Sequence, residues 1–394
     1  MTERSERGGS HRDDRGGRGD RGYRGGSGGS DRGYRGRGGG GRGGDRSHRD
    51  GERGRSRRVY DDEPRDGLLA DLVGHLHALD GRSYAAYKAI VGRYRAPAGW
   101  FLHIDRVQSD PYAPPTRIHV DVPTDLHGLE LLDEADLLAD VDRRLAVGDF
   151  LTRELHAGFR GTALSIASPG QEILQRSSII VRPDETGERP GWVLEVRARL
   201  ALPAQGRSIQ GHEASRIVGR DLVRELEEAM DLTGERGDRL VRHIATLEDH
   251  RALTAAVAVN GWVSFLADGS VLPRRSGVSD EPLTGGVALE SPDSMAATVE
   301  LPHAGTVRGT VVGAGVNVIV GGGYHGKSTL LSAIERGVYP HVPGDGRELV
   351  ATVPDAVKVR AADGRAVTGS RPARGAPRSR RPVHRSQRTW DESR

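Results

Sequence analysis

Hydrophobic positions in the middle of the chain recur with the periods of helices and strands. Apolar residues fall at helical spacing in 69–76, 222–230 and 240–247, which indicates amphipathic helices. Apolar and polar residues alternate in 117–122 and 192–200, which indicates half-buried strands. Helices mixed with strands in this way predict an α/β domain that runs from residue 66 to about residue 228.

Beyond about residue 260 the hydrophobic pattern predicts mainly strands. Four apolar runs, most of them separated by glycine-containing turns, lie at Trp262–Leu266, Ala297–Leu301, Thr306–Val312 and Val316–Val320. We expect the fourth run to be a buried strand, because it leads directly into a glycine-rich loop that is followed by a helical pattern at 329–334.

The glycine-rich loop carries the chemistry of a phosphate site. Residues 321–328 match G-x-x-x-x-G-K-S, with the strand before and the helix after that this motif requires. Glycines let successive backbone N–H groups approach phosphate oxygens, and the helix N-terminus adds partial positive charge. Lys327 is predicted to reach the β- and γ-phosphates, and Ser328 to bind Mg²⁺. His325 fills a variable position, where it either touches phosphate or faces solvent.

Hydrolysis of a nucleotide requires more than this loop. A second Mg²⁺ ligand, normally an Asp that ends a buried strand, must lie nearby. The downstream candidate is Asp355 after the apolar run 349–353. The upstream candidate is the acid pair Asp184–Glu185 after 178–181, but an intervening proline and the order along the chain favour an ordinary strand and turn.

Several stretches of the chain resemble the family of predicted ATPases of the ABC class. The resemblance covers residues 66 to about 369 and is far more specific than the loop motif alone. It is carried by LDGRSYAAYKAIVGRY at 79–94, FLHIDRVQSDPYAPPTRIHV at 101–120, the looser RPDETGERPGWVLEVRARLALPAQGRSIQG at 182–211, LADGSVLPRRSGV at 266–278, GVNVIVGGGYHGKSTLLSAIERGVYPHVPGDGRE at 315–348 and AVKVRAADGR at 356–365.

The resemblance implies an α/β fold in which a family-specific N-terminal domain precedes a P-loop NTPase domain of ABC type. It implies ATP with Mg²⁺ as the ligand, and ATP hydrolysis by two paired cassettes, hence a homodimer. The predicted nucleotide-binding residues are Gly321, Gly322, Gly323, Tyr324, His325, Gly326, Lys327, Ser328 and Thr329.

The match to the family changes abruptly after Gly369. The resemblance calls for a signature segment and a Walker B strand there, whereas the chain gives a segment rich in Arg, Pro and Ser that ends at Arg394. We interpret the change as a frameshift or a truncated gene near residue 369, with a divergent tail as the alternative. The ABC-type domain is therefore predicted to be incomplete, and hydrolysis by this chain to be slow or absent.

Composition divides the chain into four predicted regions. Residues 1–60 form an Arg-Gly-rich tail expected to be disordered, 61–228 the N-terminal domain, 229–369 the P-loop domain, and 370–394 an irregular basic tail. Tyr23 and Tyr34 lie within the Arg-Gly repeats, a mixture that suits single-stranded nucleic acid and predicts RNA binding through residues 1–59. The alternative is a tail that only confers solubility.

Composition also indicates the compartment in which the protein works. The chain has 394 residues, no cysteine and a formal net charge of +3. Absence of cysteine excludes disulfides and fits a cytoplasmic protein. Apolar runs are too short to cross a membrane, so the chain itself is expected not to enter one. Two functions are consistent with these features: an ABC-class ATPase that works with RNA, or a non-catalytic RNA-binding or scaffolding protein whose binding depends on nucleotide.

Overall fold

The computed structural model describes residues 65–185 and 191–359. The predictions made for the tails, 1–60 and 370–394, lie outside these residues. Within the described ranges the fold is α/β, as predicted, with one large mixed sheet followed along the chain by a smaller antiparallel one. The boundary placed between residues 228 and 229 stays a prediction.

The first large sheet has seven strands, in the order β1-β2-β3-β4-β7-β5 with β6 also paired to β7. Its helices lie between and after the strands, and a short hairpin follows β7. The strands are β1 (Arg65–Leu68), β2 (Gly92–Arg95), β3 (Phe101–Arg106), β4 (Thr116–Pro123), β5 (Leu164–Ser165), β6 (Ile179–Pro183) and β7 (Trp192–Leu200), and the hairpin is β8 (Ala204–Gln205) with β9 (Ser208–Ile209). The helices are α1 (Leu69–Ala78), α2 (Glu130–Glu134), α3 (Val141–Gly158), α4 (Gly211–Arg216), α5 (Leu222–Met230) and α6 (Glu235–Val259).

The second large sheet has four strands, in the order β13-β14-β10-β15, and all its pairs are antiparallel. Helices α6 and α7 both pack against β15, and a separate hairpin is formed by β11 and β12. The elements are β10 (Trp262–Ala267), β11 (Arg274–Ser276), β12 (Ser279–Pro282), β13 (Ala296–Leu301), β14 (Gly305–Gly313), α7 (Lys327–Arg336) and β15 (Val350–Thr352).

Alternation along β4 and β7 gives the first sheet two different faces. Ile118, Val120 and Val122 are buried in the main core, whereas Arg117, His119 and Asp121 point to the opposite, partly exposed face. The predicted strands at 117–122 and 192–200 and the predicted helix at 69–76 are confirmed. The polar face of this sheet lines a cavity that is considered below.

The long helix α6 connects the two hydrophobic cores. Its N-terminal half contributes Leu240 and Ile244 to the core of the first sheet. Its C-terminal end contributes Leu253 and Val257 to a second core built with Phe265 and the other strands of the antiparallel sheet. One continuous helix therefore supports both sheets, which places the P-loop region on a scaffold shared with the N-terminal half.

The prediction of a buried strand at Val316–Val320 is wrong. These residues form no strand in the structure, and Val316 is 87% exposed and Val320 80% exposed. An apolar run becomes a strand only where neighbouring strands supply hydrogen-bond partners and a face to pack against. Within the described residues, the antiparallel sheet ends at β13 and β15, and neither strand pairs with this run.

Candidate phosphate-binding site

The loop at 321–326 turns sharply into helix α7 because its backbone uses the left-handed region. Gly326, immediately before the helix, has a φ of 79°, and Tyr324 has a φ of 63°. A left-handed φ costs a non-glycine residue about 1–2 kcal/mol, so glycine is favoured at position 326. Tyr324 accepts this strain with its side chain fully exposed, consistent with a variable position in the loop.

Lys327 folds back over the mouth of the loop. Its Nζ donates to the carbonyl of Gly321 at 2.7 Å and to that of Gly322 at 2.5 Å. The His325 ring lies beside the backbone of Gly322, where a Cβ would come within 3.2 Å of the ring. The structure thus brings Lys327 and His325 together around the two glycines that open the motif.

The loop presents hydrogen-bond donors at the N-terminus of α7. Among the described residues, no acceptor bonds the backbone N–H groups of Lys327, Ser328 and Thr329, the first three residues of the helix. Ser328 is exposed at the second helical position. Free N–H groups, the positive end of the helix and one ammonium group are chemically suited to phosphate oxygens, and the Ser328 hydroxyl is suited to Mg²⁺.

Helix α7 is held firmly behind the loop. Ala333 is buried, and Thr352 Oγ1 on β15 donates to the carbonyl of Ile334 at 2.7 Å. Near the end of the helix, Arg336 forms an ion pair with Glu172 of the N-terminal half at 2.7 Å. The loop is therefore anchored through its helix to both parts of the chain.

A cavity of about 420 Å³ adjoins the loop. It is lined by Gly326, Lys327 and Thr329, by apolar residues that include Leu272 and Val287, and by Glu290. Backbone donors and an ammonium group therefore lie beside a largely apolar, open cavity, a combination that suits the two chemically different ends of a nucleotide. Sequence reasoning missed Leu272 and Val287 as lining residues, because they lie well before the motif along the chain.

The segment at 343–348, which ends the stretch 315–348 that carries the family resemblance, supports this apolar wall. Asp345 is buried and accepts from Arg274 Nη2 and His341 Nδ1, each at 2.7 Å. Burial alone would raise the pKa of Asp345, but the bonds from His341 and Arg274 outweigh it and hold the pKa below its usual value. Arg347, also buried, donates to the carbonyl of Leu272. The resemblance between this segment and the family was the signal that pointed to it.

Neither Asp355 nor Asp184 lies where a Walker B acid would, at the end of a strand beside the loop. Asp355 is exposed and follows β15, which pairs antiparallel with β10. Asp184 follows β6, an ordinary strand of the first sheet that pairs with β7, as the sequence favoured. In the described ranges, these two segments thus give no strand that runs beside the loop and ends in an acid.

Comparison with protein families agrees with this geometry. A family model for the ABC ATPase P-loop domain matches residues 236–371. A second model, for the N-terminal domain of ATPases of the ABC class, matches residues 69–232. None of the curated proteins searched matches the chain. In the described part of the chain, every helix is too short or too polar to span a bilayer. The chain belongs to the ATPases of the ABC class, in which a dedicated N-terminal domain precedes the P-loop domain.

Proposed function

We propose that this chain binds ATP together with Mg²⁺ at residues 321–329 and uses that binding in work on RNA in the cytoplasm. The observation that carries the first part is the loop itself, where free N–H groups and Lys327 meet at the start of α7. The apolar cavity beside the loop supplies a place for the base, and the exposed Ser328 supplies the protein ligand for Mg²⁺.

The role of the metal is tested by Ser328→Ala. Wild-type protein is expected to bind ATP more tightly with Mg²⁺ than with EDTA, since the metal links the hydroxyl to the phosphates. The alanine variant should lose most of this difference, about tenfold in affinity, because one hydrogen-bonding ligand is worth about 1–1.5 kcal/mol. Calorimetric titration with ATP measures both values.

Ser332→Ala, on the same helix, is the matched control and should retain the response to Mg²⁺. Equal Mg²⁺ dependence in the wild type and Ser328→Ala would remove Ser328 from the metal site. Failure of the folded wild type to bind millimolar Mg-ATP would overturn the proposed function as a whole.

The RNA part of the proposal rests on the composition of residues 1–59. Their arginines can pair with phosphates and stack on bases, and Tyr23 and Tyr34 can stack as well. Deleting residues 1–59 is expected to weaken binding to a single-stranded RNA oligonucleotide and to flatten the dependence of affinity on salt, because each lost phosphate contact lowers the slope by about 0.7. Fluorescence anisotropy at several salt concentrations measures this slope. An unchanged slope in the deletion variant would exclude the tail as the RNA-binding element.

A second function is favoured by the exposed run Val316–Val320 and by the positions of Asp184 and Asp355. With no strand beside the loop to carry an acid in the described residues, nucleotide would regulate RNA binding or assembly without being hydrolysed rapidly. We include in this proposal a homodimer formed by pairing of two P-loop domains. ATP turnover separates the catalytic from the non-catalytic function, as described for Lys327 below.

A further inference from the structure

The polar face of the first sheet holds a cluster of metal-ligating side chains far along the sequence from the phosphate loop. His103 on β3 lies directly opposite His119 on β4 in the antiparallel register, and Asp121 lies two residues further along β4 on the same face. Ligand atoms of the three side chains all lie within 4.8 Å of one another. We propose that His103, His119 and Asp121 form a binding site for a transition-metal dication of the Zn²⁺ type.

One pair of ligand atoms already has the separation that tetrahedral coordination requires. His103 Nε2 lies 3.4 Å from Asp121 Oδ2. Two ligand atoms that each lie about 2.0–2.1 Å from a tetrahedral metal are about 3.3–3.4 Å apart, so this pair already has the required separation. Imidazole nitrogen and carboxylate oxygen are both ligands that Zn²⁺ accepts, and two histidines with one carboxylate form a three-ligand set with a fourth position for water.

An unpartnered buried atom points to a missing ligand. In the described part of the chain, His103 Nε2 is buried and makes no hydrogen bond of good geometry; its neighbour is Asp121 Oδ2, 3.4 Å away at ion-pair distance. A buried polar atom without a partner is costly, and a metal ion would satisfy this one. The rings of His103 and His119 are stacked, with centroids 4.1 Å apart and planes 11° from parallel. The two imidazole rings therefore lie face to face, and they would turn towards each other to bind one ion.

Neighbouring side chains orient the proposed ligands. Asp105, at an irregularity in the pairing of β3 with β4, bonds His119 Nδ1 at 2.9 Å. A carboxylate on one ring nitrogen fixes the tautomer and leaves the other nitrogen, Nε2, for the metal. Arg182 Nη2 lies 3.0 Å from Asp121 Oδ1, which leaves Asp121 Oδ2 to face His103. Arg182 and Arg197 also pair with Glu195, so acidic groups balance their charge next to the site.

The proposed site is accessible from solvent. The side chains of His103, His119 and Asp121 retain 22%, 24% and 19% of their exposure. His119 and Asp105 also line a cavity of about 700 Å³ on this face of the sheet. An ion can therefore enter and keep one coordination position open to water, as in sites that bind a further ligand.

The test uses the untagged full chain, dialysed against chelator and then titrated with Zn²⁺, or with Co²⁺ for its visible absorption. His103→Gln and His119→Gln are each expected to remove one equivalent of bound metal relative to wild type, together with the intense bands of tetrahedral Co²⁺. Asp105→Asn should weaken metal binding about 10- to 100-fold, the usual effect of losing a carboxylate that orients a histidine ligand. His127→Gln is the matched control, because His127 is 95% exposed and pairs with Glu130 outside the cluster.

Histidines outside the cluster can also bind metal, and their contribution is shared by the wild type and the cluster variants. The result is therefore the difference in bound metal between each variant and the wild type. Circular dichroism and urea unfolding confirm that each variant is folded. If one variant does not fold, Asp105→Asn still tests the site, since it leaves all three ligands in place. Wild-type binding equal to that of His119→Gln, or an Asp105→Asn affinity equal to wild type, would overturn the proposal.

Discussion

Replacing Lys327 with alanine is expected to weaken Mg-ATP binding by about one to two orders of magnitude. The ammonium group already lies at the mouth of the loop, bonded to the carbonyls of Gly321 and Gly322. A hydrogen bond to a charged group contributes about 1.5–3 kcal/mol, and about 1.4 kcal/mol corresponds to a tenfold change in affinity. Isothermal titration calorimetry of both proteins with Mg-ATP measures the change.

Lys358→Ala is the matched control for the loss of a lysine. The Lys358 side chain is 37% exposed, and its Nζ forms an ion pair with Glu335 at 2.5 Å. Glu335 lies on α7 at the end away from the loop. Its affinity for Mg-ATP should equal that of the wild type. Lys327→Arg adds a second comparison, because a planar guanidinium keeps the charge but not the compact shape of the ammonium. Equal affinity in the wild type and Lys327→Ala would contradict a phosphate site at this loop.

ATP turnover by the same two proteins distinguishes the two proposed functions. An ATPase should lose its turnover when Lys327 is replaced, since this group neutralises charge that develops during phosphoryl transfer. A wild type that binds Mg-ATP yet turns it over no faster than the variant supports the nucleotide-dependent scaffold. The comparison is made at saturating ATP for each protein, so that weaker binding is not mistaken for slower chemistry.

The sequence predicts elements well where the pattern is set by burial against neighbours that are present. The alternation at 117–122 and 192–200 corresponds to β4 and β7, which pair with each other and bury one face. The equally apolar run Val316–Val320 forms no strand. A hydrophobic pattern shows that a segment can be buried, but it does not show whether a partner strand exists. Pairing is a long-range property that local periodicity does not contain.

In the candidate sites, too, local features are predictable from the sequence, whereas contacts between distant segments are not. The turn at 321–326 and the helix after it are predictable because the residues of the motif are consecutive and imply this local geometry. The apolar wall at Leu272 comes from another segment and needed the fold. His103, His119 and Asp121 are spread over two strands, and only the register of β3 against β4 places the two histidines opposite each other. A one-residue change of register would send those side chains to opposite faces.

The second large effect is expected from Asp149→Ala, which should lower the free energy of unfolding by about 3–5 kcal/mol. Asp149 is 1% exposed in the middle of α3, and Arg176 and Arg153 pair with it, the latter through Nε at 2.7 Å. Burial lowers the pKa of Arg153 to about 10, which shows the cost of keeping this guanidinium charged inside the protein. Removing one partner of a buried ion pair leaves the other charge uncompensated, and this typically costs about 3–5 kcal/mol of the free energy of unfolding. Alanine is a favourable helix residue, so helix propensity adds nothing to the loss.

The same substitution is expected to loosen the contact between the N-terminal half and the P-loop helix. Asp149 accepts from the backbone N–H of Leu174 at 3.3 Å, within a segment at 170–176 that we call the docking segment. This segment bonds the residues after α7, with Ile173 N donating to the carbonyl of Pro340 at 2.8 Å. Glu172 in the same segment holds Arg336 at the end of α7. Hydrogen exchange should therefore rise in 170–176 and in 336–342 together in the variant.

Asp142→Ala is the control for Asp149, because it removes the same group from the same helix at an exposed position. Asp142 is 41% exposed and pairs with Arg251 at 3.0 Å, a surface ion pair that contributes about 1 kcal/mol or less. Urea unfolding of the three proteins gives the two differences directly. A loss in Asp149→Ala no greater than that in Asp142→Ala would show that the buried cluster is not a stabilising centre. A large loss without increased exchange at 336–342 would show that Asp149 stabilises the N-terminal half alone, and that the docking segment holds α7 independently of it.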